Sequence, residues 1–217
     1  MVVVFGYTVW GSLFQNRFYI LLFEVPTLDM NKRYTYADYL TWLDDKTREL
    51  IHAVIQKMSP APRLEHARVS QKISFHLGLY VMRNKDKCEA APFDVRFPKQ
   101  GETADNKIDT VVQPDICVVC DPSKLDERGC CGAPDMIVEI LSPSTIKKDV
   151  VYKFALYEES GVKEYWIVHP TDQAITVFLL QDNGKYNDGV VYEWEGKIRV
   201  HIFNDYLIDW EDIFGKS

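Results

Sequence analysis

Short apolar runs alternate with polar turn segments along the chain, and this pattern predicts one α+β domain. Apolar residues recur every three or four positions over residues 64–80, which is typical of a helix with one buried face. A second helix is predicted over residues 146–160, where a partly apolar segment ends at Gly161. Thr35 and Asp38 have the spacing of a helix N-cap and its reciprocal acceptor, so a short helix is expected to begin there.

Runs rich in β-branched and apolar residues predict strands in the segments between the helices. These strands cover residues 48–58, 88–97, 111–119, 136–141, 164–168, 175–180, 190–194 and 198–202. Residues 98–106 are expected to form a loop, and residues 206–214 are expected to dock as a short helix. The strands at 111–119 and 136–141 are close in sequence, which favours an antiparallel pair. We therefore expect a mixed, mostly antiparallel sheet flanked by helices.

The first 29 residues differ from the rest of the chain and are treated as an N-terminal extension, with the domain at residues 30–217. Residues 1–23 are apolar and aromatic, but Gln15, Asn16 and Arg17 interrupt them, so a transmembrane helix is not expected. A secretory signal is not expected either, because a basic start and a small-residue cleavage site are missing. The sequence leaves open an overlong start, an N-terminal hairpin and a partner-binding segment.

Charge and cysteine content narrow the function classes. The 217-residue chain has a net charge of −7, so no bulk positive field attracts nucleic acid. Binding to nucleic acid would need a local basic patch or a metal ion that offsets the acidic groups. The five cysteines form no even framework, and we expect reduced thiols in a cytoplasmic protein rather than a zinc site.

Two carboxylates, Asp115 and Glu139, fall inside apolar runs that are predicted to be buried strands. A buried charge costs several kcal/mol unless a cation or hydrogen bonds compensate it. Function commonly justifies such a cost, so the pair points to a metal site or to acid–base chemistry.

The helix that follows Glu139 carries Lys153, which shares a face with Asp149 four residues earlier. If this helix packs on the strand of Glu139, two acids and one ammonium meet in one pocket. Such a trio suits phosphodiester hydrolysis: the acids bind Mg²⁺, which activates a water, and the ammonium stabilises the developing negative charge.

This arrangement resembles the PD-(D/E)XK nuclease superfamily, whose pattern is Pro-Asp, a spacer, and then an acid two residues before a lysine. Pro114-Asp115 and Glu139 match the pattern, but Leu141 stands where the lysine is expected. The resemblance therefore implies a lysine that has migrated to the next helix, and we assign it to Lys153.

A wider set of blocks resembles the Uma-two family of putative restriction endonucleases. The blocks are Tyr36-Ala37-Asp38-Tyr39-Leu40, Arg48-Glu49-Leu50-Ile51, Met58-Ser59-Pro60, His66, Gln113-Pro114-Asp115-Ile116, Val138-Glu139-Ile140-Leu141-Ser142-Pro143-Ser144-Thr145, Lys153, Tyr157 and Gly161-Val162-Lys163-Glu164-Tyr165-Trp166. They extend over residues 34–214 in the family's order and spacing. One departure is His52-Ala53, which replaces the family's Asp-Gly turn.

The resemblance implies a restriction-endonuclease-like core, a divalent metal (Mg²⁺ or Mn²⁺), a DNA substrate and a bacterial, cytoplasmic setting. It also implies that Glu49 approaches the metal as an additional acid, although a polar residue at a strand start fits the same position. His66 is an accessory candidate that contacts a phosphate, stands near the metal or caps a helix. Asp149 is a further accessory candidate, for which pairing with Lys153 is favoured over metal binding. Pro134-Asp135 has the right dipeptide, but no suitable acid and lysine follow it.

Three functions remain open at this point. The first is a Mg²⁺-dependent endonuclease that hydrolyses DNA, with Asp115, Glu139 and Lys153 as catalytic residues and Asp115, Glu139 and Glu49 as metal ligands. The alternative is a catalytically degenerate nuclease fold that serves as a binding or interaction module. A third is hydrolysis of a small phosphorylated substrate. Nucleases that cut both strands are commonly symmetric dimers, so a homodimer is expected.

Overall fold

The computed structural model describes most of the chain beyond the N-terminal segment. The described residues are 28–29, 31–42, 48–57, 63–84, 88–142, 146–204 and 206–215, without the side chains of residues 57, 84 and 146–149. The predictions for residues 1–27 lie outside this part of the chain. Within it, no helix has both the length and the apolar content that crossing a membrane requires.

Four α-helices, fourteen strands and three short 3-10 helices form the regular structure of the described residues. The helices are α1 (Tyr36–Tyr39), α2 (Leu64–Asn84), α3 (Ile146–Ser160) and α4 (Trp210–Phe214). The strands are β1 (Arg48–Ile51), β2 (Val54–Lys57), β3 (Glu89–Ala91), β4 (Val95–Arg96), β5 (Val111–Val112), β6 (Ile116–Val119), β7 (Leu125–Asp126), β8 (Gly129–Cys131), β9 (Met136–Ile140), β10 (Glu164–His169), β11 (Ala174–Leu179), β12 (Val190–Glu193), β13 (Lys197–Val200) and β14 (Tyr206–Asp209).

The strands form two six-stranded sheets and one two-stranded sheet. One large sheet has the order β2-β1-β5-β4-β8-β7, the other has the order β12-β11-β10-β9-β6-β3, and β13 pairs with β14. The pairs β9–β10 and β4–β8 are parallel, and the other described pairs are antiparallel. The predicted mixed, mostly antiparallel architecture is therefore confirmed, as is the antiparallel pairing of the two strands that bear or border the acids.

The sheet that contains β9 separates two apolar cores. Val69, Ile73 and Leu77 of α2 are buried in one core, as their helical spacing predicts. On the other face, Leu156 and Tyr157 of α3 pack with residues that include Ile137 of β9. Because side chains alternate along a strand, Glu139 shares the α3 face with Ile137. The fold therefore directs Glu139 toward α3.

Several predicted strands are divided in the structure. Residues 48–57 form the β1–β2 hairpin instead of one strand, with His52 and Ala53 at φ of 49° and 65°. Residues 88–97 contribute β3 to one large sheet and β4 to the other. Residues 111–119 are divided in the same way into β5 and β6. The apolar and β-branched residues in both halves of each stretch suit either sheet, so composition alone does not reveal which sheet each half joins.

The C-terminal prediction was correct in part. Residues 206–214 do contain a helix, α4, but it is preceded by β14. β14 pairs with β13 in a separate two-stranded sheet, so the strand expected at residues 198–202 joins neither large sheet.

The expectation of reduced thiols was wrong for one pair, because Cys88 and Cys120 form a disulfide. Glu89 pairs with Val119 in the antiparallel β3–β6 ladder, so the residues just outside this pair face each other across the two strands. A disulfide is typical of oxidising compartments. Cys117, Cys130 and Cys131 are free thiols.

Candidate active site

Asp115 lies at the break between β5 and β6, where the chain passes from one large sheet to the other. Pro114 is buried and has no backbone N–H, which is consistent with interrupted strand pairing at this point. Ile116 pairs with Val138, so Asp115 stands opposite Glu139 in the same register. Its Oδ2 accepts a hydrogen bond from the backbone N–H of Ile140 at 2.7 Å. This contact fixes Asp115 against the end of β9.

Asp135 occupies the equivalent position at the other end of the same strand pair. It follows Pro134, precedes β9, and its Oδ2 accepts the backbone N–H of Cys120 at 2.8 Å. The two Pro-Asp dipeptides thus make matching contacts with the partner strand. They differ in the second oxygen, because Asp135 Oδ1 meets Lys163 Nζ at 2.6 Å, whereas Asp115 Oδ1 meets His66 Nε2 at 3.3 Å.

Glu139, Lys153 and Glu49 form a buried ionic network beside Asp115. Lys153 Nζ lies 3.0 Å from Glu139 Oε1 and 2.8 Å from Glu49 Oε1. The three residues are 8%, 5% and 4% exposed, respectively, so water screens the network little. They come from β9, α3 and β1. The structure therefore brings together four residues that the sequence nominated, from three separate elements and the β5–β6 break.

Tyr157 completes the network, and no role in the site was predicted for it from the sequence. Its hydroxyl donates a 2.6 Å hydrogen bond to Glu139 Oε1, the oxygen that also receives Lys153. Tyr157 lies four residues after Lys153, on the same face of α3. That spacing was the available signal, but the surrounding apolar residues indicated a core aromatic instead.

The network sets unusual proton affinities. Burial raises the pKa of Glu139 to about 7; the Lys153 ammonium opposes this shift, whereas the nearby charges of Asp115 and Glu49 add to it. Burial acts to lower the pKa of Lys153, but the two glutamates raise it overall, so the amine stays charged. Burial also raises the pKa of Tyr157 well above its ordinary value, so it remains a hydrogen-bond donor. Burial therefore moves the proton exchange of Glu139 toward neutral pH.

His66, near the start of α2, borders Asp115 on the other side. The hydrogen bond to Asp115 raises the pKa of His66, and burial opposes the shift. Its Nδ1 is a buried nitrogen for which the described residues provide no hydrogen-bond partner. Asp149, the other accessory candidate, has a side chain outside the described ones.

The carboxylates of the site are the type of ligand that Mg²⁺ prefers. Mg²⁺ is usually held by one or two carboxylates, with waters and substrate phosphates completing its shell. Asp115 and Glu139 supply such a pair, and with Glu49 the three carboxylates outnumber the single ammonium of Lys153. Among the described residues, no group of three or more His, Cys, Asp or Glu side chains is arranged as a metal cage. By ligand type alone, Asp115 and Glu139 therefore suit a metal ion that two carboxylates hold.

Known proteins match the chain in family and fold. The family model described as "Uma2: Putative restriction endonuclease" matches residues 36–204. The chain is 30% identical to an uncharacterized protein of Synechocystis sp. over 90 residues, or 41% of this chain and 46% of that protein. It thus spans about half the length of that relative. A crystal structure of a putative nuclease belonging to DUF820 from Anabaena variabilis is 21% identical, has a TM-score of 0.65, and is matched over 83% of this chain and 97% of that one.

Proposed function

Because this chain belongs to the Uma2 family of putative restriction endonucleases, we propose that it is a metal-dependent endonuclease that hydrolyses DNA phosphodiester bonds. The observation that carries this proposal is the meeting of Asp115, Glu139 and Lys153. An acid at a strand break, an acid in the adjacent strand and a buried ammonium match the chemistry of phosphoryl transfer. Fold likeness alone would not specify a reaction.

Asp115 and Glu139 would hold Mg²⁺ or Mn²⁺ through their carboxylate oxygens. When bound, the ion lowers the pKa of a coordinated water and polarises a phosphoryl oxygen. The Ile140 N–H orients Asp115, and Lys153 and Tyr157 orient Glu139. The contacts from Lys153 and Tyr157 act to lower the pKa of Glu139 and so favour its ionised form, which is the form that a metal requires.

Lys153 would supply positive charge next to the scissile phosphate. Its amine stays protonated because two glutamates flank it, and a fixed cation stabilises the negative charge that develops on the phosphoryl oxygens. His66 would act through Asp115, since its Nε2 contacts Oδ1 of that carboxylate.

A homodimer is part of the proposal because cutting both strands needs two sites, and sedimentation velocity tests it.

The test is plasmid nicking by purified protein in Mg²⁺ or Mn²⁺, with Asp115→Asn and Glu139→Gln beside the wild type. Each variant should lose roughly a hundredfold or more in rate, because each removes a carboxylate from the metal. Asp135→Asn is the matched control, since Asp135 makes the same backbone contact at the other end of the strand pair. It should cut at a rate close to that of the wild type.

Equal nicking by the wild type, Asp115→Asn and Glu139→Gln would indicate a contaminating nuclease and remove the proposal. One observation favours the alternative of a catalytically degenerate binding module: Lys153 already pairs with both glutamates in a closed, buried network. Calorimetry that detects Mn²⁺ binding, without cleavage of any DNA substrate, would support that alternative.

A further inference from the structure

We propose that Glu49 is a positioning residue that holds Lys153 in the site, and not a ligand of the metal. This inference rests on the endonuclease function proposed above and refines the role of one residue in it. Glu49 carries a carboxylate, as Asp115 and Glu139 do, but it lies on β1 in the other large sheet, whereas Asp115 and Glu139 stand opposite each other in the strand register.

A single oxygen of Glu49 accepts two hydrogen-bond donors. Oε1 lies 2.8 Å from Lys153 Nζ and 3.0 Å from the backbone nitrogen of Gln113. The first donor is a side-chain amine that projects from α3, and the second is a main-chain N–H just before Pro114. These two contacts fix the carboxylate of Glu49 in place.

Lys153 needs such a partner because of its position in the chain. It projects from a helix, and its four-carbon stem has several rotatable bonds, so fixing the amine at one point costs conformational entropy. Glu139 alone would hold the amine from one side. Glu49 holds it from β1, which belongs to the other large sheet. Two carboxylates on separate sheets define the position of the amine better than one.

The contact with Gln113 extends this role to the strand break. Gln113 lies two residues before Asp115, and its side-chain amide donates to Asp94 Oδ1 at 2.7 Å. Glu49 therefore ties the segment that carries Asp115 to the residue that carries the ammonium. Among the described residues, no three His, Cys, Asp or Glu side chains are placed to hold one metal ion, which fits Glu49 as a partner of Lys153 and not as a third ligand beside Asp115 and Glu139.

The first test is Mn²⁺ binding by calorimetry without DNA, for wild type, Glu49→Gln and Asp115→Asn. Gln keeps an acceptor oxygen for both donors but removes the charge. We expect Glu49→Gln to bind Mn²⁺ within about threefold of wild type, and Asp115→Asn to lose roughly tenfold or more. A loss in Glu49→Gln as large as that in Asp115→Asn would overturn the inference.

The second test is steady-state cleavage. Glu49→Gln should lower kcat roughly 10–100-fold with little change in KM. An ammonium that is held less firmly stabilises the transition state less, while the binding of the substrate is unchanged. Glu164→Gln is the matched control, since Glu164 is also buried in a strand and accepts one backbone and one side-chain donor, Ile202 N–H and Trp166 Nε1–H. Wild-type kcat in Glu49→Gln would contradict the proposed role.

A third measurement needs neither metal nor DNA. Glu49→Gln should lower Tm in the wild-type background, but much less in a Lys153→Met background, because the two residues act as a pair. An equal Tm shift in both backgrounds would overturn the inference. A wild type that does not cut DNA would remove the endonuclease proposal, while metal affinity and the Tm cycle would still decide the role of Glu49.

Discussion

Glu139 shows what a single buried acid requires of its neighbours. Its carboxylate is nearly inaccessible to water, so its ionised form depends on Lys153 and Tyr157, both of which meet Oε1. Even with these two donors, burial keeps the pKa at about 7. A cation near this carboxylate would favour the ionised form further.

The first prediction follows from the direction of this shift. Glu139 ionises near 4.5 when exposed and near 7 in the fold, so the native state binds more protons than the unfolded state between these values. Stability should therefore fall as the pH rises from 4.5 to 7, by on the order of 3 kcal/mol from this residue. Urea unfolding in EDTA at several pH values measures it. In Glu139→Gln this contribution should vanish, and parallel pH curves for the two proteins would contradict the assignment.

The second prediction separates metal binding from turnover at Lys153. Lys153→Met should keep Mn²⁺ affinity within about threefold and lower kcat roughly a hundredfold, because in the proposed mechanism the amine stabilises transition-state charge and is not a metal ligand. Calorimetry and plasmid nicking measure the two quantities. Lys163→Met is the control, since Lys163 pairs with Asp135 at the other Pro-Asp dipeptide. Full activity in Lys153→Met would show that another residue supplies the charge.

The sequence indicated which residue types belong to the candidate site, but it did not indicate which of these residues contact one another. Asp115 and Glu139 stood out because acids are rare in apolar runs, and Lys153 because of its position after Glu139. The hydrogen bond from Tyr157 was not predictable, since a tyrosine among apolar helix residues is usually part of a core. The sharing of Lys153 between Glu49 and Glu139 depends on two sheets meeting, which no local pattern encodes.

The β1–β2 hairpin is the element in which local sequence and structure disagree. His52 and Ala53 both adopt positive φ, a conformation that favours glycine or asparagine. The hairpin forms nevertheless, because its strands pair over four residues on each side and the backbone nitrogen of Ala53 donates to Asp109 O at 2.7 Å. Tertiary contacts thus impose a turn that the two residues do not favour.

The third prediction is that Ala53→Gly stabilises the protein by roughly 0.5–1 kcal/mol, because glycine removes the strain at positive φ and outweighs its greater unfolded-state entropy. Denaturant unfolding measures it. Ala155→Gly is the matched control, since Ala155 is an exposed residue within α3, where the same substitution should destabilise by about 1 kcal/mol. Shifts of the same sign at both positions would contradict the strain at Ala53.

The observed boundaries of helices matched the predicted ones where the sequence contains a local signal such as a cap. The capping box of Thr35 and Asp38 was correctly predicted, as were the end of α3 at Gly161 and the buried face of α2. The strands at 88–97 and 111–119 were not divided correctly, because their residues suit either sheet. Pro114 was the one local sign of the second break, and its role depends on the partner strands available on each side.

At the scale of the whole molecule, the site lies where the two large sheets meet. β1 supplies Glu49 from one sheet, β9 supplies Glu139 from the other, and the chain that joins β5 to β6 carries Asp115. α3, which connects β9 to β10, supplies Lys153, whose amine contacts both glutamates. The fold class was predictable from the pattern, but this convergence was not, because it arises from pairings between distant segments.

The charge of the whole molecule gives the fourth prediction. A net charge of −7 opposes DNA binding, and the carboxylates of the site add local repulsion of a phosphate. Duplex DNA should therefore bind roughly tenfold or more tightly in Ca²⁺ than in EDTA, as measured by fluorescence anisotropy at fixed ionic strength.

Comparing Asp115→Asn with Asp135→Asn tests whether Ca²⁺ raises the affinity for DNA through Asp115. Asp115→Asn should lose the gain in affinity from Ca²⁺, because it removes one of the two carboxylates that we propose as ligands of the ion. Asp135→Asn should keep it, because that side chain pairs with Lys163 and not with the site. Equal DNA affinity in EDTA and in Ca²⁺ would mean that a basic surface carries binding, and the acidic pair would then have no part in recruiting the substrate.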